Sequence, residues 1–308
     1  MAMTGFRFPD EDAVLEGCDR LVDFHAWDPQ KINPRGWLGN FDKFDRGFAL
    51  IMLSRFTFLA DHLVDQLFRA AFQNISNSIA SVWEPFPKAQ AQWNRFCSDA
   101  IVTIVQGEDP NPSDSGWLFA RKARQSLGIS ESQLVEPKVA VREVKGGFDG
   151  PVIFVDDFVG SGEQFVETWQ RSYDLGSGES ASFKSLIQGG SKAAFYYCNA
   201  MTTSYGRERL TRDAPQVRLS TGNLISERQS LVHDDSSQWP KAIHAEALKL
   251  VERIGRQLGF TAIDGGESDW RGFHGLGLGI AFSHSVPDAN LPLFFTDANG
   301  WTPLVRRT

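Results

Sequence analysis

Val152-Ile153-Phe154-Val155-Asp156-Asp157-Phe158-Val159-Gly160-Ser161-Gly162 joins an apolar run, two adjacent carboxylates and a glycine-bracketed turn, and its reading decides the fold. Residues 152–155 are apolar without interruption and mostly β-branched or aromatic, which predicts a central strand covered on both faces, as in a parallel α/β sheet. Open sheets of that kind bind ligands beyond the carboxyl ends of their strands, where Asp156 and Asp157 are expected. Gly160 and Gly162 let backbone amides approach a ligand closely. The helix predicted over 163–173 points its N-terminus at the same place, so the loop amides and the Ser161 hydroxyl form an anion site.

Two other readings compete. An apolar strand ending in two acids is also the magnesium-holding half of an ATPase, but that enzyme needs a G-x-x-x-x-G-K-[ST] loop. Gly189-Gly190-Ser191-Lys192 has neither the spacing nor a buried strand before it. The plainer alternative is a strand followed by an ordinary tight turn, with Asp156 and Asp157 as cap and turn residues.

Outward from this segment, the first half reads mainly helical and the second alternates strand with helix. Phe48, Ile51, Met52, Leu59, Leu63, Leu67 and Ala71 recur at helical spacing. A second helix is predicted over 89–105, with Trp93, Phe96, Ala100, Ile101 and Ile104 on one stripe, and then a polar loop over 109–114. Ser113-Asp114-Ser115-Gly116 either caps the helix predicted over 117–127 or forms a second ligand loop, to which Arg121, Lys122 and Arg124 would add charge. Val139, Val141 and Val144 suggest an edge strand. The Gly/Ser-rich stretch 176–191 reads as a mobile insertion or lid, strands are predicted over 193–200 and 216–220, and an amphipathic helix over 243–258. This organisation divides the chain into a mainly helical region, 1–107, and an α/β domain, 108–308.

Composition narrows the class. The 308 residues are 42% hydrophobic and 22% charged, enough for a core and a solvated surface. A net charge of −7 supplies no general attraction for nucleic acid or an anionic membrane, so an anionic ligand has to be captured locally. Cys18, Cys97 and Cys198 are scattered and odd in number, which argues for reduced thiols in a cytoplasmic protein without disulfides. No basic and apolar leader opens the sequence, and charged residues interrupt its most apolar region, so no membrane partner is expected. The six histidines show no metal-ligand spacing.

The segment 152–164 resembles the ribose-phosphate signature of type I phosphoribosyltransferases: an apolar strand, paired acids, two apolar residues, then a small-residue loop. The resemblance implies a Rossmann-like parallel sheet of that kind, here with an added N-terminal helical layer. It implies that Phe158, Val159, Gly160, Ser161, Gly162, Glu163 and Gln164 hold the 5′-phosphate of phosphoribosyl pyrophosphate or of a nucleotide. Asp156 and Asp157 would then be the catalytic pair, addressing the ribose hydroxyls and Mg²⁺, directly or through water. Ser113, Asp114, Ser115 and Gly116 would correspond to the pyrophosphate loop. One departure stands out: where the usual motif closes with glycine and threonine, this chain has Glu163 and Gln164.

With the glycine-alternating stretch 275–282 and the helical first half, the whole also resembles divergent phosphoribosyltransferase-like proteins of prokaryotic conflict and phage-defence loci, some beside retron reverse transcriptases. That likeness implies a defence-system protein or ribonucleoprotein as partner. His284, Asp288 and Asn290 either stabilise turns or sit at the mouth of the pocket. The expected activity is transfer or cleavage at the ribose anomeric carbon. The alternative is a catalytically reduced nucleotide-sensing or interaction module in a larger complex.

Overall fold

A computed structural model of the chain describes residues 6–79, 84–107 and 115–307. In chain order the elements are α1 (Glu11–Asp23), α2 (Pro34–Leu38), α3 (Arg46–Arg55), β1 (Thr57–Leu59), α4 (Asp61–Asn74), α5 (Phe86–Asp99), β2 (Ile101–Ile104), α6 (Ser115–Leu127), α7 (Pro137–Lys145), β3 (Pro151–Val159), α8 (Glu163–Gln170), β4 (Tyr173–Gly176), β5 (Glu179–Ala181), α9 (Phe183–Gln188), β6 (Ala194–Thr203), α10 (Ser204–Asp213), β7 (Val217–Ile225), α11 (His244–Gln257) and β8 (Ile280–Phe282). They form two compact units, one of residues 1–64 with 226–308 and one of residues 65–225. The boundary runs through α4, not at residue 107, because α5 and β2 pack with the sheet that the second half builds.

In the first unit β1 and β8 pair in parallel, Phe58 opposite Ala281. The core gathers Trp37, Phe56, Trp239, Ile254 and Phe294, and the buried Trp37 indole donates to the Leu293 carbonyl at 2.8 Å. The single helix expected across 48–71 is broken here. Thr57–Leu59 leaves helical geometry to pair with β8, and α3 and α4 flank it.

The second unit is an α/β layer structure. Its sheet runs in the order β2-β3-β6-β7, all strands parallel, with Val152 opposite Ile101 and Phe195, and Phe195 opposite Val217. On the other edge of β2, Leu134 makes one parallel bridge to Val102. The chain thus leaves β2 outward through α6 and returns by α7 to β3 on the inner side. This reversal between β2 and β3 is the arrangement that opens a ligand crevice at the strand ends. Strand alternation sends Val152 and Phe154 to a face where Phe165, Trp169 and Phe183 pack. On the opposite face Phe96 of α5 meets Tyr196 edge-on, and Phe68 of α4 meets Phe119 of α6. The α/β class and parallel sheet expected from residues 152–155 are present.

Several local expectations change. The helix predicted over 89–105 stops at Asp99, because the β-branched run Ile101-Val102-Thr103-Ile104 gains a strand partner in β3. Gln133 donates to the carbonyls of Cys97 and Ala100 at 2.8 and 2.7 Å, satisfying the helix end. Residues 137–145 are a helix rather than an edge strand. Pro137 opens it, and the buried set is Ala140, Val141 and Val144, a helical spacing that the Val139/Val141/Val144 pattern hid. The Gly/Ser-rich stretch is no loose lid. It contains the β4–β5 hairpin and α9, capped by reciprocal Ser182 and Ser185 hydrogen bonds, and fully buried Phe183 anchors it among Phe154, Trp169 and Phe195. Among the described residues no helix is long and apolar enough to cross a membrane.

Trp169 touches four aromatic rings, those of Phe154, Phe165, Phe183 and Phe195. Trp169→Ala should therefore cost about 3–5 kcal/mol in denaturant unfolding, and Trp169→Phe less than half of that. Equal losses for the two would show that the cluster does not close the sheet's helical face.

Candidate functional site

The site begins where one strand outlasts its neighbour. β2 ends opposite Val155, whereas β3 continues through Asp156, Asp157, Phe158 and Val159, paired on its other side with β6 as far as Thr202. The two acids therefore lie within the strand, just past the end of β2, rather than beyond the end of β3. They are unequal. Alternation puts Asp156 on the α8 face, where the Tyr197 hydroxyl donates to its Oδ2 at 2.9 Å and the Asp157 amide to its Oδ1 at 2.9 Å. Burial first, then the Asp157 charge and a hydrogen bond between the two carboxyls, push Asp156 well above the ordinary carboxylate range. Burial likewise raises Tyr197, which keeps its proton. Asp156 is thus the member of the pair tied to Tyr197, and its surroundings favour the protonated form. Asp157 is buried as well and accepts from the Phe158 amide at 2.8 Å.

The turn that follows is clamped to α10. Gly162 is left-handed, φ 75°, and begins α8. A side chain at Gly206 would sit 2.6 Å from the Gly160 carbonyl, so only glycine allows this approach. Thr203, the N-cap of α10, donates to the Gly160 carbonyl at 2.5 Å and accepts from the Gly206 amide at 2.9 Å. Ser161 is buried and its hydroxyl accepts from the Glu163 amide at 3.3 Å. Gln164 is exposed. The departure at Glu163 has a partner, since its carboxylate meets Arg209 of α10 at 3.0 Å, and Arg209 also lies 3.8 Å from Asp213. Tyr197, Thr203, Gly206 and Arg209 complete the loop's surroundings. The sequence signal for them was a threonine N-cap directly after an apolar strand.

The remaining candidates divide. Ser113 and Asp114 lie outside the described residues. Ser115 and Gly116 open α6, and Gly116 packs where a Cβ would meet Ile104 at 2.9 Å. Lys122 pairs with Asp65, Arg124 with Glu131 at 3.1 Å, and Arg121 is exposed. The segment after β2 is strapped to α8: the Gln106 amide donates to Thr168 Oγ1 at 3.0 Å, and Arg171 to the Gly107 carbonyl at 2.7 Å. His284, Asp288 and Asn290 belong to the first unit. Asn290 is fully buried and holds a turn, accepting from the Ile280 amide and donating to the Pro287 carbonyl, both at 2.7 Å. Asp288 pairs with Arg307, and His284 stacks on Phe282 at 5.6 Å. No group of three or more His, Cys, Asp or Glu with metal-holding geometry occurs among the described residues.

A raised carboxyl gives a signed pH dependence. Its contribution to stability is complete below the unfolded carboxylate range and is lost as pH rises through the folded value. Asp156→Asn keeps an acceptor and a donor without the charge, so it should melt at or above wild type at pH 8, the gap closing toward pH 4. Asp156→Ala strands the Tyr197 hydroxyl and should lose about 1–3 kcal/mol. Thermal scans of both decide it, and an Asn variant melting several degrees low at pH 8 would contradict a proton-holding Asp156.

No curated protein matches this chain. A family does: the model of PRTase-CE matches residues 34–307, which takes in most of the first unit, all of the second and the whole β3–α8 segment. The chain therefore belongs to the PRTase-CE family of phosphoribosyltransferase-like proteins.

Proposed function

We propose that the second unit binds phosphoribosyl pyrophosphate or a nucleotide at the β3–α8 loop and transfers or cleaves at the ribose anomeric carbon. The observation that carries this is the step at which β3 outlasts β2, with Asp157 on it and a left-handed Gly162 leading into α8. Backbone amides at a helix start take a phosphoryl group, and the ribose then lies along the step toward Asp157.

The chemistry asks for little beyond placement. The bond from the anomeric carbon to pyrophosphate or base breaks with its electron pair leaving on that group. An acceptor lone pair forms the new bond; in cleavage the acceptor is water, which gives up a proton. Positive charge builds on the sugar between these events, and the Asp157 carboxylate stabilises it. Mg²⁺, when bound, neutralises the pyrophosphate. The donor set fits an ion held mainly by its substrate, because magnesium takes one or two carboxylates together with phosphate oxygens and water. Asp157 is the residue suited to hold it, while Asp156 is committed to Tyr197. Within this reading the chain serves as an effector in phage defence. The Glu163–Arg209 pair favours a second reading, a nucleotide sensor without turnover, since it places a resident carboxylate at the cradle.

Asp157→Asn should lower calorimetric affinity for phosphoribosyl pyrophosphate with Mg²⁺ at least tenfold, with the melting temperature within about 2 °C of wild type. Unchanged affinity removes the assignment. Mass spectrometry of a nucleotide pool after incubation separates the enzyme, which makes product, from the sensor, which does not.

A further inference from the structure

The loop after β3 carries one side chain that an anion-binding turn does not need. Glu163 is the first residue of α8, a place where the positive end of the helix favours a negative side chain. Its carboxylate lies 3.0 Å from Arg209, a cation on the helix that clamps this loop through Thr203 and Gly206. The stripe is regular: Thr203, Gly206, Arg209 and Asp213 follow one another along the same side of α10, from the cap to the last turn. Arg209 is about one-fifth exposed, Glu163 about one-third. The Nε of Arg209 is buried and makes no hydrogen bond, and Asp213 lies 3.8 Å from it.

We propose that Glu163 is a resident anion of the phosphate cradle, and that its pair with Arg209 sets how strongly, and for which charge, the cradle takes a phosphoryl group. This rests on reading the loop as that cradle. In the free protein the carboxylate occupies both attractions that a phosphate would use, the start of α8 and the Arg209 guanidinium. A ligand phosphoryl competes with it for both, and the Arg209 donor not yet used becomes available as the pair loosens. The consequence is a site with little affinity for phosphate alone. Binding then requires the ribose as well, so the ligand class is a ribose 5-phosphate ester rather than a free phosphate or a sugar diphosphate lacking that pentose. Glu163 and Arg209 act here as specificity residues, and Thr203 and Gly206 as positioning residues that hold the loop against α10.

The test uses the full chain and isothermal calorimetry with two probes, phosphoribosyl pyrophosphate with Mg²⁺ and ribose 5-phosphate alone. Glu163→Gln removes the competing charge and should bind both probes about fivefold tighter, the scale of one partly exposed ion pair and one helix-end charge. Arg209→Gln should bind both about fivefold more weakly, since it leaves Glu163 unopposed beside the incoming phosphate. The double variant should lie between. A brace with no electrostatic role gives a different pattern, in which both single variants weaken binding and the double is no worse than either. Equal or weaker binding by Glu163→Gln, while Asp157→Asn still weakens binding at least tenfold, overturns this proposal and leaves the ribose-phosphate reading standing. Silence from wild type and every variant overturns both. Glu163→Thr provides a second probe of the same charge if the Gln variant melts early, and tighter binding is again the supporting result.

Discussion

The Gly160 carbonyl and the first turn of α10 stand so close that no side chain fits between them, and the geometry of the candidate site follows from that approach. A Cβ at Gly206 would lie 2.6 Å from the carbonyl, and Thr203 completes the contact by donating to it while capping its own helix. The turn after β3 therefore cannot drift away from the end of β6. Because β3 and β6 are paired up to Thr202, the loop that closes β3 and the cap that opens α10 emerge side by side. Gly162 then turns left-handed to start α8. A glycine in one helix thus fixes the direction of another.

The same constraint separates the two acids. Neighbouring carboxylates on β3 take different partners, Asp156 the Tyr197 hydroxyl and Asp157 the Phe158 amide. One face is closed by α8, whose Phe165 stacks on Tyr197 at 4.3 Å, and the acid that lands there loses water and takes a tyrosine hydroxyl instead. Desolvation and the neighbouring Asp157 then both favour its protonated form. A motif that reads as two equivalent acids becomes two acids with different hydrogen-bond partners.

How much of this was legible depended on whether the signal was local. The apolar run 152–155 sufficed for a parallel sheet strand, and the stripe of α11 sufficed for a helix, since each pattern is complete within its own segment. The strand at Ile101–Ile104 was hidden because its residues also fit the helical stripe of α5, and only pairing with β3 decides between the two. Residues 176–191 read as loose because glycine and serine lack apolar bulk, yet their fold is set by one phenylalanine, Phe183, and by a serine capping pair. At the site the acids and the glycine turn were visible, but their inequality was not. It arises from Tyr197, which reads in sequence as one more apolar strand residue. Arg209 was equally plain as a residue and mute as a partner, since its relation to Glu163 exists only once α8 and α10 lie side by side.

Charge explains why such a site has to be assembled from backbone. With a net charge of −7 the chain repels a phosphorylated ligand at long range, and screening limits that repulsion to about 8 Å at physiological salt. Attraction must come from groups that act within a few ångströms: peptide N–H donors at a helix start and a guanidinium held in place. The guanidinium here is already paired with Glu163, the first residue of α8, at 3.0 Å. A bare anion gains little by displacing a carboxylate of equal sign from such a place. On the proposed reading, a ligand that also presents sugar hydroxyls to Asp157 would gain contacts that the resident carboxylate cannot imitate, and selectivity for the pentose would be built into the cradle rather than added to it.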